Sequence, residues 1–252
     1  MSDKRPLVVL ELFAGTRSIG KAFEAKGHKV YSVDWDKSFT DIDLYADIGK
    51  LTIDDINNLV EGQHIDVVWL SPDCTSYSLA AIGKHRKKNP TTGNLDPQTE
   101  YAKFCDNVNA HCIDLLKEIN PSLYFIENPR GGFRKMTFMQ GLPRYTVTYC
   151  KYTTDLPLEQ RRMKPTDIWT NHPDPKFIPP CTYGDPCHVA APRGSKTGTQ
   201  GLKDWKERSK IPEALCKHVV DISEEYIYNN DKEDKPLISN REQLDLFTML
   251  ED

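Results

Sequence analysis

The sequence predicts an α/β fold built on an open, mostly parallel sheet with helices packed on it, and two observations point there. Four apolar runs, residues 7–12, 28–33, 65–70 and 123–126, have strand length, and segments of helical spacing lie among them. Each run also stops at a chemically useful group: a glycine turn at Phe13-Ala14-Gly15, an acid at Asp34, a thiol in Ser71-Pro72-Asp73-Cys74 and a carboxylate in Glu127-Asn128-Pro129. In such a sheet the ligand crevice lies beyond the carboxyl ends of the strands, so these four turns should converge on one site.

Taken in order, the first strand, the glycine turn, a helix over 19–26 and the second strand make a compact βαβ opening. The third strand ends at Ser71. Residues 83–98, with Gly, Pro, Asn and five basic or His residues, read as a mobile loop. Residues 101–119 show helical spacing, with Phe104, Val108, Cys112, Leu115 and Ile119 on one face, and Asn120-Pro121 ends that helix before the fourth strand. Residues 144–149 alternate like a strand, and 167–170 read as another. From 171 to 201 the pattern gives way to Pro, Gly, Cys and Thr, with four prolines between Pro173 and Pro180, which predicts a small irregular subdomain or a recognition loop. An amphipathic helix over 211–228 follows, with Pro212 near its first turn. A charged linker then leads to a short apolar tail. The expected organisation is a catalytic domain of 1–170 plus 202–228, a recognition region of 171–201, and an acidic linker and tail of 229–252.

A chain of 252 residues can bury a good core. No apolar run reaches the ~18 residues of a membrane span, and Met1-Ser2-Asp3-Lys4-Arg5 does not open a secretory signal, so a cytoplasmic monomer with no membrane role is expected. Seven cysteines without a disulfide-framework spacing fit a reducing compartment. The net charge of −4 is unevenly placed: residues 221–252 carry ten acids and three bases, which leaves 30 − 27 = +3 for the rest. Bases cluster in Lys84-His85-Arg86-Lys87-Lys88, Arg161-Arg162-Met163-Lys164 and residues 203–210. Local patches, more than total charge, set phosphate affinity.

Gly15 and Gly20 lie too far apart for the dinucleotide fingerprint G-x-G-x-x-G. Asp34 is nevertheless placed to accept from ribose hydroxyls, Trp35 offers a face for adenine, and Asp47-Ile48 a polar and apolar pair at its edge. These features suit a nucleoside without a diphosphate. The plainer alternative is an ordinary α/β sheet whose Asp34 caps a turn. At the other end, a thiolate is a strong nucleophile, but a free thiol of pKa ~8.5 needs activation by its surroundings. Glu127 could protonate a ring nitrogen and so make an unreactive heterocycle open to attack, help worth ~10²–10⁴ in rate. The competing view of Cys74 is a buried structural thiol.

The order of these motifs resembles the DNA (cytosine-5) methyltransferases. Leu12-Phe13-Ala14-Gly15 is similar to their first motif, Asp34-Trp35 to the ribose and adenine pair, and Asp47-Ile48 to the third motif. Ser71-Pro72-Asp73-Cys74 resembles the Pro-Pro-Cys nucleophile turn, and Glu127-Asn128-Pro129 the Glu-Asn-Val motif. Gln160-Arg161-Arg162-Met163-Lys164 resembles Gln-x-Arg-x-Arg, and Ile211-Pro212-Glu213-Ala214-Leu215 the closing Val-Pro-x-x-Leu helix. The resemblance implies a Rossmann-like S-adenosylmethionine-dependent methyltransferase sheet and methyl transfer to carbon 5 of cytosine in double-stranded DNA. It implies catalytic roles for Cys74, Glu127, Arg162 and Lys164, and a donor site at Phe13, Ala14, Gly15, Asp34, Trp35, Asp47, Ile48, Pro72 and Ser209. The base must leave the stack to meet Cys74, and the 83–98 loop would close over it. The set is that of a short bacterial or bacteriophage member.

The departures from the family pattern have consequences. Asp73 replaces the proline before the cysteine and should raise the thiol pKa unless its charge is directed elsewhere. Lys164 lacks the bidentate fork of the second arginine. Arg208-Ser209-Lys210 stands where Gly-Asn-Ala or Gly-Asn-Ser is usual. DNA contacts are expected from Arg86 and Lys87, and from Arg193, Lys196 and Thr197 in the short recognition region. Cys181, Cys187 and His188, with Cys150, could ligate a metal, but without a Cys-x-x-Cys pair reduced core cysteines and no metal are the expectation. Gln243-Leu244-Asp245-Leu246-Phe247 resembles the peptide by which bacterial proteins dock on the replication sliding clamp; a terminal helix packed on its own domain is the alternative. The rival functions are an RNA cytosine-5 methyltransferase, a catalytically silent DNA-binding module and, third, a nicotinamide oxidoreductase, which the missing phosphate turn disfavours.

Overall fold

The computed structural model describes residues 4–189 and 204–232. Arg193, Lys196 and Thr197 of the expected DNA contacts, and Gln243, Leu244, Leu246 and Phe247 of the tail, lie outside these residues.

The strands are β1 (Val8–Leu12), β2 (Lys29–Asp34), β3 (Leu44–Tyr45), β4 (Val67–Leu70), β7 (Leu123–Pro129), β8 (Arg144–Thr148) and β9 (Pro165–Thr170) in one seven-stranded sheet, with β5 (Arg86–Lys88) and β6 (Leu95–Pro97) apart from it. The sheet order is β3-β2-β1-β4-β7-β9-β8. Its first five strands run parallel, as the four buried apolar runs predict, and β9 is antiparallel to both β7 and β8. The fold is thus the Rossmann-like α/β sheet expected from the sequence.

Burial on both faces explains why these strands read as unbroken apolar runs. Val8, Leu10 and Leu12 share one core with Ile56 of α2 (Ile53–Leu59) and with Cys105, Cys112 and Leu116 of α4 (Glu100–Ile119). Leu7, Val9, Val67 and Trp69 share the other with Ile19 and Phe23 of α1 (Ser18–Glu24) and with Leu215, Val219 and Val220 of α6 (Glu213–Lys232). Thr52 starts α2 with a capping box to Asp55, and Thr99 caps α4 by accepting from the Ala102 N–H.

Four expectations need correction. The 83–98 segment, read from the sequence as a mobile loop, has regular structure: α3 (Ile82–His85) leads into a β5–β6 hairpin paired from Arg86↔Pro97 to Lys88↔Leu95. Arg86 is no surface cation. Its side chain is fully covered, because the guanidinium bridges Asp106 (2.7 and 3.0 Å), the Ser76 carbonyl and hydroxyl (3.0 Å each) and the Tyr77 ring face. On α4, Cys112 and Leu115 are buried and Val108 and Ile119 pack against the core as expected, but Phe104 is exposed, and Ala102, Cys105 and Asn109 are buried in addition. Finally, α6 runs to Lys232, past the expected linker start, and Asp231 pairs with Arg5 at 3.4 Å.

Candidate active site

Backbone contacts stitch the adjacent strand ends together. The Ala14 N–H donates to the Val33 carbonyl (3.1 Å), the Ser71 N–H to the Leu12 carbonyl (3.3 Å), and Asn128 Nδ2 to the Pro72 carbonyl (3.0 Å). The turns after β1, β2 and β4 and the end of β7 therefore form one continuous rim, as the strand-end chemistry predicts.

At one end of the rim the chain enters the left-handed region twice, at Phe13 (φ 57) and Gly15 (φ 49). The Gly15 N–H donates to Asp34 Oδ2 and the Asp36 N–H to Asp34 Oδ1, both at 2.8 Å. Each carboxylate oxygen thus spends one lone-pair direction on the backbone and keeps another for a ligand hydroxyl. Trp35 stands beside it 68% exposed, an open aromatic face. Asp47 caps a 3-10 turn, accepting from the Gly49 N–H (3.1 Å) and pairing with Lys50 (3.1 Å). Ile48 sinks into the core, so the apolar half of the Asp47-Ile48 pair belongs to packing and offers no ligand surface. A ribose-like diol and a flat base fit this set.

Helix α5 (Trp205–Ser209) ties that end to the other. Lys206 Nζ donates to the Ser38 carbonyl (2.9 Å), Trp205 packs edge-on against Phe39 (5.5 Å), and the Arg208 carbonyl accepts from Lys164 Nζ (2.9 Å). Ser209 is exposed between these contacts, its hydroxyl turned back to the Lys206 carbonyl (2.7 Å).

Cys74 is half-buried at the start of a 3-10 turn over Thr75–Tyr77. Its thiol is pushed up to about 11, first by the desolvating surroundings and then by Asp73, with Lys164 opposing and Glu127 adding to the rise. Asp73 directs its charge partly away: Oδ1 accepts from the Thr75 N–H (2.6 Å) and Oδ2 from the Tyr101 hydroxyl. Glu127 is buried inside β7, not beyond it, because β9 extends the strand through Glu127↔Ile168 and Asn128↔Asp167. Burial raises its pKa, again against Lys164, with Tyr149 (3.4 Å from its Oε1) and Ser71 as hydrogen-bonding neighbours. Lys164 is therefore the cation opposing both shifts. It is itself buried, held by the Arg208 carbonyl and lying 4.6 Å over the Tyr149 ring. Arg162 instead turns back onto the Glu159 and Arg161 carbonyls.

Close approach keeps this end compact. A Cβ on Gly131 would stand 2.5 Å from the Tyr77 carbonyl, so only glycine lets the chain after β7 pass the Cys74 turn. Arg86 acts from beneath by holding Ser76, two residues past Cys74. Three groups escaped the sequence reading: Asn128 as the tie to Pro72, Tyr149 as the neighbour of Glu127, and Glu11. Glu11, in β1, is buried against the first turn of α1, accepts from the Gly20 N–H (3.1 Å), and is raised to about 8 by burial. A glutamate inside an apolar strand was the available signal for the last.

Among known proteins, the family described as C-5 cytosine-specific DNA methylase matches residues 7–136, just over half of the chain. Curated proteins give no match. Among solved structures, a prophage-encoded DNA modification methyltransferase (E. coli) is similar at 15% identity and TM-score 0.48, over 73% of this chain and 57% of that one. The S. pombe Dnmt2 methyltransferase aligns at 14% identity and TM-score 0.42, over 66% and 49%. The Entamoeba histolytica methyltransferase EhMeth aligns at 14% and 0.46, over 66% and 53%. The chain spans about half the length of these solved structures.

Proposed function

Because the chain belongs to the C-5 cytosine-specific DNA methylases, we propose that it transfers a methyl group to carbon 5 of cytosine in double-stranded DNA through a covalent Cys74 adduct. The observation that carries this reading is the meeting of Cys74, Glu127 and Lys164 at the ends of three strands, on the rim that also holds Asp34 and Trp35.

S-adenosylmethionine, when bound, would supply an electrophilic methyl group. The Phe13-Ala14-Gly15 turn, Asp34, Trp35 and Asp47 would hold it, with Pro72 and Ser209 beside it. Cys74 loses its thiol proton to solvent and Sγ bonds to carbon 6 of a cytosine turned out of the stack. Glu127, whose raised pKa favours its protonated form, gives that proton to N3 as electron density moves to carbon 5. After methylation a base takes the carbon 5 proton, the Cys74 bond breaks and N3 loses its added proton. Lys164 favours the thiolate that starts the sequence.

Trapping on duplex DNA containing 5-fluorocytosine tests the reading, because fluorine at carbon 5 blocks the last elimination and leaves the adduct. A stable adduct in the wild type and none in Cys74→Ser is expected. Wild type without adduct would leave a DNA-binding module, and methyl incorporation into structured RNA above duplex DNA would move the substrate to RNA.

Further parts of the proposal rest on sequence. Residues 1–170 plus 202–232, through the end of α6, would form the catalytic domain, 171–201 the recognition region with Arg193, Lys196 and Thr197, and 233–252 the linker and tail. Lys87, exposed on the hairpin, is kept as a phosphate contact, and Arg162 as a group that turns to the base on binding. Gln243-Leu244-Asp245-Leu246-Phe247 would dock on a bacterial sliding clamp, in a bacterial or phage-infected cytoplasm. A clamp pull-down should lose the Leu246→Ala/Phe247→Ala variant, and equal recovery would remove the docking role.

A further inference from the structure

We propose that Cys150, Cys181, Cys187 and His188 form a structural zinc site of the Cys₃His kind, which pins the start of the recognition segment to the edge of the sheet. Tetrahedral zinc with Zn–S near ~2.3 Å and Zn–N near ~2.0 Å requires ligand atoms about 3.5–3.8 Å apart. Here Cys187 Sγ lies 3.8 Å from Cys150 Sγ, and His188 Nδ1 lies 3.5 Å from Cys187 Sγ and 3.6 Å from Cys181 Sγ. The Cys150–Cys181 sulfur pair is tighter, at 3.1 Å, yet far longer than a disulfide bond of ~2.05 Å. All four candidate ligand atoms fall within 4.8 Å of one another.

Convergence of this kind is hard to explain as packing. Cys150 follows β8, whereas Cys181, Cys187 and His188 come from a segment without helix or strand 31 to 38 residues later. Three of the four are buried and Cys187 is half-buried, so the cluster is closed, as a structural site requires, and offers no open position for a reacting ligand. The surrounding backbone is organised to present the ligands. The Cys181 N–H donates to the Thr148 hydroxyl (3.0 Å), and Thr182 donates its N–H and its hydroxyl to the two Asp185 carboxylate oxygens (2.8 and 2.9 Å), closing the turn that returns Cys187. The Val189 N–H then donates to the Arg161 carbonyl (3.2 Å).

Binding Zn²⁺ would expel three thiol protons to solvent and leave the neutral imidazole on Nδ1, for a site of net charge −1. Its place in the fold gives it a role. Cys150 adjoins Tyr149, the neighbour of Glu127, and Val189 reaches Arg161 and leads to residues 190–203. The metal would fix where the recognition segment leaves the catalytic sheet, without taking part in methyl transfer.

The test is metal analysis of the full chain purified from zinc-supplemented cells. About one zinc per chain is expected, and cobalt exchange should give the visible bands of a tetrahedral thiolate site. Cys187→Ser, at the most exposed ligand, should retain at least tenfold less metal after chelator treatment, while Cys105→Ala, outside the cluster, should retain it. A folded wild type holding under a tenth of an equivalent of zinc would overturn the proposal. So would recovery of a Cys150–Cys181 disulfide peptide from anaerobically prepared protein.

Discussion

Replacing Arg86 by methionine separates two accounts of the same residue. On sequence grounds Arg86 belongs to a basic cluster that should meet DNA phosphates; in the fold its guanidinium is fully covered and spent on Asp106, Ser76, the Leu95 carbonyl (3.4 Å) and the Tyr77 ring. Removing one partner of a buried ion pair typically costs ~3–5 kcal/mol, because the other charge is left without its counter-ion. Asp106 keeps 18% of its side chain exposed, so water recovers part of that charge and the lower end, about 3 kcal/mol, is expected. For a domain of this size that is a fall of roughly 6–12 °C in Tm, read by circular dichroism. Arg86→Met/Asp106→Leu should recover part of the loss, since no charge is then stranded. An unchanged Tm, together with weaker DNA binding whose salt dependence drops by about one phosphate contact, would refute the anchor role and restore the surface one.

The other predictions are these. Glu127→Gln should lower methyl transfer by about two to four decades if it is the proton donor, and a wild-type rate would remove it from the mechanism. Asp34→Ala should weaken S-adenosylmethionine binding by ~1.5–3 kcal/mol for a charge-assisted hydrogen bond, and Trp35→Ala should weaken it through lost stacking; calorimetry showing both unchanged would place the donor elsewhere. Glu11→Gln should flatten the dependence of stability on pH. The folded pKa of about 8 lies above the unfolded value, so the wild type is favoured below ~4.5 and loses that contribution as pH rises through about 8. The variant should gain on the wild type between pH 5 and 9, by a few kcal/mol at most, and a constant difference by denaturant titration would contradict the buried acid. Asp73→Asn should speed alkylation of Cys74 and Lys164→Met should slow it, followed by mass spectrometry against pH; shifts of the same sign would refute the charge assignment.

The strands were legible because burial on both sheet faces leaves apolar runs such as Val67–Leu70 that nothing else explains. The rim was legible for the same reason, since Asp34 and Cys74 interrupt or end those runs. Strand neighbours were not. That β9 inserts between β7 and β8 is decided by long-range pairing, and it alone extends β7 through Glu127 and brings Tyr149 to it. Arg86 was illegible because local composition counts it with Lys87 and Lys88, while its partner Asp106 lies twenty residues on, in α4. The hairpin was hidden by turn-forming Asn, Pro and Gly at its tip. The cysteine cluster lacks a short-range spacing signature, so only the path of residues 150–188 reveals it.

The charge arrangement around Cys74 shows how one lysine could serve two acids. Burial disfavours ionisation of both Cys74 and Glu127, and an ionised Glu127 raises Cys74 further. A Cys74 thiolate and an ionised Glu127 therefore repel each other, and the repulsion is relieved when only one of them carries a negative charge. Lys164, fixed by the Arg208 carbonyl and the Tyr149 ring, supplies one positive charge to match it. When Glu127 holds its proton, its repulsion of the thiolate disappears and Lys164 is left to Cys74 alone. The pairing of a protonated Glu127 with a Cys74 thiolate is then mutually reinforcing, and it is the pairing that covalent attack on a cytosine with proton transfer to N3 requires. Asp73 works against it, but its carboxylate is engaged by the Thr75 N–H and the Tyr101 hydroxyl. A lysine in place of a guanidinium fork suits this site, because a compact ammonium held by one carbonyl and one ring face acts on both acids as a point charge and needs no bidentate partner.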